Sequence, residues 1–178
     1  MMTWRRIVLT ALLAGMAGSA SARDRADVSP PRPVGPQEAD VVAVMVDQRT
    51  HAPAVVLQGK RDKRQVTMTI GLAEATGIAV PLQGVTPPRP LTHDLFLTLF
   101  GKLQVSLTRV VITDLRDDVY YATLHLTAGG HDMVLDSRPS DAIALAIRAK
   151  APVLVEDRVF DKAEGPGTRG APAPRPHI

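Results

Sequence analysis

Between Ala39 and Asp161 the chain switches repeatedly between strand and helix periodicity. Val41–Val46 (VVAVMV) and Ala54–Leu57 (AVVL) are short runs rich in β-branched residues, which favour buried strands. Gln65–Ile70 alternates Val66, Met68 and Ile70 with Gln65, Thr67 and Thr69, the period-two pattern of a half-buried strand. The charged stretch Gly59–Arg64 between them reads as a turn. Leu72 to about Val80 reads as a short helix, weakened by Gly77 and stopped by Pro81 and Gly84. After a Pro-rich loop, Thr92 is the expected N-cap of a second helix. Leu91 and Phe96 then stand at hydrophobic-staple spacing, Asp94 lies in the first turn and Gly101 marks the end. Val105–Leu115 and Val119–Gly129 alternate around Arg116-Asp117-Asp118, which predicts a hairpin, and His131–Asp136 predicts another strand. Pro139–Lys150 predicts the last helix, with Ile143, Leu145, Ala146 and Ile147 as its apolar positions, and Ala151–Val155 a buried closing strand.

Strands mostly adjacent in sequence, with about three short helices, predict an α+β two-layer domain built on a mixed, mostly antiparallel sheet. TMTIGLAEATGIAV and MVLDSRPSDAIALAI share a further pattern: an apolar strand, a polar link, then acid-Ala-x-x-apolar-Ala. That pattern reads as a weak internal duplication.

The ends are different in character. Residues 1–22 run from Arg5 and Arg6 through an apolar stretch to Ala20-Ser21-Ala22, the order of a secretory signal peptide, with cleavage expected after Ala22. Export to the periplasm or the extracellular space follows, with no membrane attachment once the leader is removed. Residues 23–38 and 162–178 are rich in Pro and Gly and lack apolar periodicity, so they read as a disordered linker and tail around a domain at 39–161. The whole chain carries a formal charge of +3, yet residues 39–161 hold 13 basic and 14 acidic groups. Bulk electrostatics therefore give no strong support for nucleic-acid affinity. There is no cysteine, which rules out a disulfide framework and a thiolate metal site.

Two motifs repeat one signal: RPLTHDL (Arg89–Leu95) and RPSDAIAL (Arg138–Leu145). Pro starts a helix, Ser or Thr accepts a free amide and Asp suits the positive helix end, so capping alone explains most of the pattern. Arginine is left over, because its charge opposes that end unless a carboxylate or an anion neutralises it. Arg89 and Arg138 are therefore expected either to form ion pairs, with Asp136 or Asp141 as partners, or to capture phosphate beside free helix amides. Side by side, the two helix starts would line one cleft, with His93 as an acid or base and Asp94, Asp136 and Asp141 as bases or divalent-metal ligands. His125 and His131 lack metal-ligand spacing, the basic turn Gly59–Arg64 reads as solvated, and aromatic residues are too few for a stacking platform. No Walker loop, dinucleotide fingerprint or nucleophile elbow is present.

RPLTHDL, VVITDL, YYATLHL and LDSRPSDAIALAIRAKAPVLV, preceded by IGLAEATGIAVPLQG, together closely resemble the bifunctional nuclease domain family over about Val55 to Val159. The resemblance implies an α+β fold, hydrolysis of both RNA and DNA, and a homo-oligomer. It marks Glu74, Arg89, Thr92, His93, Asp94, Asp136, Arg138, Ser140 and Asp141. The expected assignment is catalysis by His93, Asp94, Asp136 and Asp141, and substrate binding by Arg89, Thr92, Arg138 and Ser140. A divalent cation such as Mg²⁺ would sit on Asp136, Asp141 and Glu74. The chain departs from the family pattern in that Gly77 and Pro81 interrupt a helix usually richer in alanine and leucine. The alternative reading is a non-catalytic anion-binding or assembly module in which these Arg and Asp residues are structural.

Overall fold

A computed structural model describes residues 35–164 apart from Arg49. The expected leader, most of the linker and residues 165–178 lie outside the described residues. Seven strands and four helices follow one another as β1 (Gln37–Val46), β2 (Pro53–Gly59), β3 (Gln65–Thr69), α1 (Leu72–Leu82), α2 (Thr92–Lys102), β4 (Val105–Arg116), β5 (Val119–Ala128), β6 (His131–Ser137), α3 (Pro139–Ala149), β7 (Val153–Val155) and α4 (Asp157–Ala163). The strands form one open mixed sheet in the order β3-β2-β1-β7-β4-β5-β6, antiparallel throughout except where β4 pairs with β7. This is the α+β fold expected, with one helix more.

The topology is a meander and a helix, twice over. β1-β2-β3 leads into α1 and β4-β5-β6 into α3, each meander ending on its own edge of the sheet. The two matching sequence segments are the β3–α1 and β6–α3 units, and their helices pack on one another. Glu74 and Asp141 hold the same place in each, three residues after the N-caps Gly71 and Arg138. One continuous core joins Val55, Leu57, Val66 and Met68 of the first half to Val110, Ile112, Ala122 and Leu124 of the second, capped by Ile78 of α1 and Ala142–Ala146 of α3.

Local chemistry accounts for the elements. The β4–β5 hairpin turns on Asp117 and Asp118 with φ of 48° and 62°, the left-handed conformation that two-residue hairpin loops require. α3 starts on Pro139 and stops where Lys150 adopts φ 55°. α1 runs through Pro81, which lies in its last turn, instead of stopping ahead of it. At α2 the cap moves by one residue. Leu91 is the N-cap and Thr92 the first helical residue, so the expected staple pairing of Leu91 with Phe96 is lost. Asp94 takes over the capping role by accepting from the Leu91 amide at 2.8 Å.

The domain also extends past both expected ends. β1 begins inside the stretch read as linker because Gln37 is buried, donating to Asp62 and accepting from the Arg61 amide. α4 runs past Asp161 and is held by the basic turn that the sequence reads as solvated. Arg64, only 10% exposed, pairs with Asp62, Asp157 and Asp161 and lies 4.7 Å over the Phe160 ring, while Arg61 pairs with Asp157. Those charges are engaged within the protein, which leaves the turn with little to offer a backbone phosphate.

Candidate active site at the start of helix α3

The starts of α2 and α3 do meet, through side chains of both motifs. Arg138 turns back over its own helix, donating from Nε to Asp141 Oδ2 at 2.7 Å and from Nη2 to Oδ1 at 3.1 Å, and reaches α1 through Nη1 to Glu74 Oε1 at 2.9 Å. One arginine thus bridges the two equivalent acids of the duplicated units. Gly71, where the first unit has no arginine, lets Glu74 fold back: a Cβ there would lie 2.2 Å from Glu74 Oε2. Asp141 Oδ1 also accepts from His93 Nε2 at 3.2 Å. Because a carboxylate only accepts, the contact places a proton on Nε2 and leaves the lone pair of the neutral ring on Nδ1. Partial burial pulls the Asp141 pKa upward, but the hydrogen bonds from Arg138 and His93 more than offset it and hold the carboxyl below its ordinary value. The Arg138 guanidinium is raised in turn, chiefly by Asp141.

The cluster is open to water, not sealed. The Arg138 side chain is 64% exposed and Asp141 32%, whereas His93 is mostly covered at 13%. An exposed guanidinium beside a carboxylate–imidazole pair can hold a phosphate oxygen and move a proton within one short span.

Other expected residues have different places. Arg89 is exposed in the loop before α2 and makes no ion pair among the described residues. Asp94 belongs to a neighbouring contact, accepting from Arg148 Nε at 2.7 Å. Partial burial raises its pKa, yet the bonds from Arg148 and the Leu91 amide leave the net shift downward. Asp136 pairs across the ladder with Thr123 and shares its face, opposite to the core residues Ala122 and Leu124. It forms no ion pair with Arg138, whose partner is Asp141, the other of the two carboxylates expected for that arginine. Thr92 is exposed, and Ser140 is buried at the second position of α3 with neither side chain capping its helix.

The expected metal donors are likewise divided. Glu74 and Asp141 both face Arg138 while Asp136 lies on the other side of the sheet, and no group of three or more His, Asp or Glu among the described residues is placed to hold an ion. The residues present do not make a ready cation cage.

Arg148 is the residue beside this site that the motif reading passes over. It is 7% exposed, and besides Asp94 it donates to the Gly77 and Ala144 carbonyls at 2.6 and 2.9 Å. Its spacing was a usable signal, seven residues after Asp141 and therefore two turns along the same helix face.

Comparison with known proteins decides the lineage. The bifunctional nuclease domain model matches residues 55–166, most of the chain and all of this site. The chain belongs to the bifunctional nuclease domain family. An uncharacterised protein of Mycobacterium tuberculosis (strain ATCC 25618 / H37Rv) is 39% identical over 126 residues, which span 71% of this chain and 75% of that one. Bifunctional nuclease 1 of Oryza sativa subsp. japonica is 30% identical over 118 residues, 62% of this chain but only 35% of the rice protein. The bifunctional nuclease match thus covers both halves of the duplicated fold and both Arg-Pro motifs.

Proposed function

We propose that this protein is a nuclease of low sequence specificity that hydrolyses phosphodiester bonds of RNA and DNA at the His93–Asp141–Arg138 cluster. The observation that carries the reading is Asp141 Oδ1, shared by an imidazole and a guanidinium on the protein surface. In this reading Arg138 binds a nonbridging phosphate oxygen, and Arg89 and Thr92 meet the flanking backbone. Asp141 orients the ring, and the imidazole takes the proton of an attacking water. The new P–O bond forms as the bond to the leaving oxygen breaks, and that oxygen receives a proton from solvent. Metal assistance enters only as the expectation that a chelator slows the reaction. No step is assigned to an ion, because Glu74, Asp136 and Asp141 are not gathered.

Two further parts of the proposal concern setting. Export rests on the charged, apolar and small-residue order of residues 1–22. Homo-oligomer formation is supported by α2, which has no buried residue and exposes Leu95, Phe96 and Leu99, and by the edge strand β6, which exposes Met133, Val134 and Leu135.

The test is purified protein incubated with RNA, single-stranded DNA and double-stranded DNA, with and without chelator, beside a His93→Ala, Asp141→Ala double variant. Loss of cleavage in a folded double variant supports the site, and unchanged cleavage removes it. One observation favours a second reading, in which the cluster is structural: Glu74 and Asp141 already neutralise Arg138. Unfolding of Arg138→Ala, in place of a folded but slower protein, would point to that module.

A further inference from the structure

Gly77 and Pro81 of α1 and Arg148 of α3 are linked through one carbonyl. In an α-helix the amide of residue 81 would bond the carbonyl of residue 77, and proline has no amide to give. The Gly77 carbonyl is therefore freed within α1, and Arg148 Nη1 of α3 donates to it at 2.6 Å. Through Nε the same guanidinium holds Asp94 in the first turn of α2. This matters for α2 above other helices, because none of its residues is fully buried and only Leu97 and Phe100 pack partly against the core, so polar contacts help to fix its start. Gly77 also seats the histidine next to Asp94 in sequence. A Cβ at Gly77 would stand 2.9 Å from His93 Cε1 and 3.1 Å from Nδ1, closer than side-chain carbons pack.

We infer that Arg148 and Gly77 are positioning residues for His93: Arg148 anchors the turn that carries it, and Gly77 supplies the surface on which its ring lies against Asp141. Gly77 and Pro81, the two interruptions of α1, thereby acquire one explanation. The glycine makes room for the ring, and the proline frees the carbonyl that Arg148 takes. The catalytic consequence rests on the proposed nuclease reading, while the geometric one does not.

The experiment uses the full chain with Gly77→Ala and Arg148→Gln, each made alone and in a His93→Ala background. Gly77→Ala is the decisive variant, since alanine improves helix propensity and a purely structural role predicts an equal or higher melting temperature with normal activity. Positioning predicts instead that the His93 imidazole NMR resonances move in both variants and that kcat on single-stranded DNA falls by about 10²-fold with KM little changed. It also predicts that neither substitution lowers the residual rate further once His93 is alanine. Unmoved His93 resonances in folded Gly77→Ala and Arg148→Gln proteins overturn the inference. So do rate losses that persist undiminished in the His93→Ala background. If the resonances move but the wild-type protein cleaves no nucleic acid, positioning stands and the nuclease reading falls.

Discussion

Arg89 and Arg138 each precede a proline, a hydroxyl residue and an aspartate, yet only Arg138 is drawn into a side-chain network. In the second motif arginine and aspartate are three residues apart across a helix N-terminus, a spacing at which they face one another, and Asp141 has its own arginine as nearest cation. In the first motif two extra residues, Leu91 and His93, and the shifted cap put Asp94 under Arg148 instead, and Arg89 stays exposed. The motifs are therefore complementary. One contributes the guanidinium and carboxylate, the other the imidazole, and α3 carries at its two ends the arginines that pair with the two aspartates, Arg138 with Asp141 and Arg148 with Asp94.

The division of labour is sharpest for the two aspartates. Asp141→Asn keeps a similar shape but removes the charge that orients His93, and the rate on RNA or single-stranded DNA is expected to fall by about 10²-fold or more with the fold retained. Asp94→Asn should act the other way round. It strands the nearly buried Arg148, and stability measured by urea unfolding is expected to drop by about 2–3 kcal/mol, below the value for a fully buried pair because Asp94 is partly exposed. Equal effects of both substitutions on rate and on stability would dissolve the contrast.

How far these roles could be read in advance depended on whether they were local. The hairpin at Asp117-Asp118, the duplicated strand–helix pattern and the Pro139 helix start each lie within a few residues, and each is legible in the chain. α4 is not, because its seven residues depend on ion pairs to Arg61 and Arg64, nearly a hundred positions away. The site divides in the same manner. Capping chemistry identified both motifs and their acids, and the His93–Asp141 meeting follows from helices that pack together. What was hidden was which guanidinium each acid would take. Arg148 carries no motif of its own, and Gly77 and Pro81 read as helix faults until a ring and a distant arginine are placed beside them.

A pH titration of stability probes both motifs at once. Asp94 and Asp141 have folded pKa values below their ordinary ones, so their contribution is complete above the unfolded value, near ~4, and is lost as pH falls through the folded values. Unfolding free energy should accordingly decline below about pH 4, and more shallowly in Asp94→Asn, so that the gap between variant and wild type narrows with acidification. Asp114, held at about 2 principally by its hydrogen bond from Lys162, contributes to the same decline in both proteins and leaves the difference intact. A gap that stays constant down to the acid transition would mean that Arg148 does not depress Asp94.

The smallest effect belongs to the arginine that the fold leaves outside. Arg89 is exposed and unpaired among the described residues, so replacing it strands no carboxylate, and Arg89→Ala should leave the melting temperature within about 1–2 °C of wild type, as for an ordinary surface change. Its charge is nonetheless unopposed beside the start of α2, and in the nuclease reading that charge meets backbone phosphate without reading sequence. Removing one such contact should raise KM by a few-fold alike for all sequences and lower the slope of log affinity against log salt by about one. Arg138→Ala, by contrast, should change kcat, because its guanidinium is tied to the carboxylate that orients His93. If the two arginine variants proved interchangeable in kcat, KM and salt slope, the asymmetry between the motifs would be confined to packing, and Arg138 would be one more surface cation.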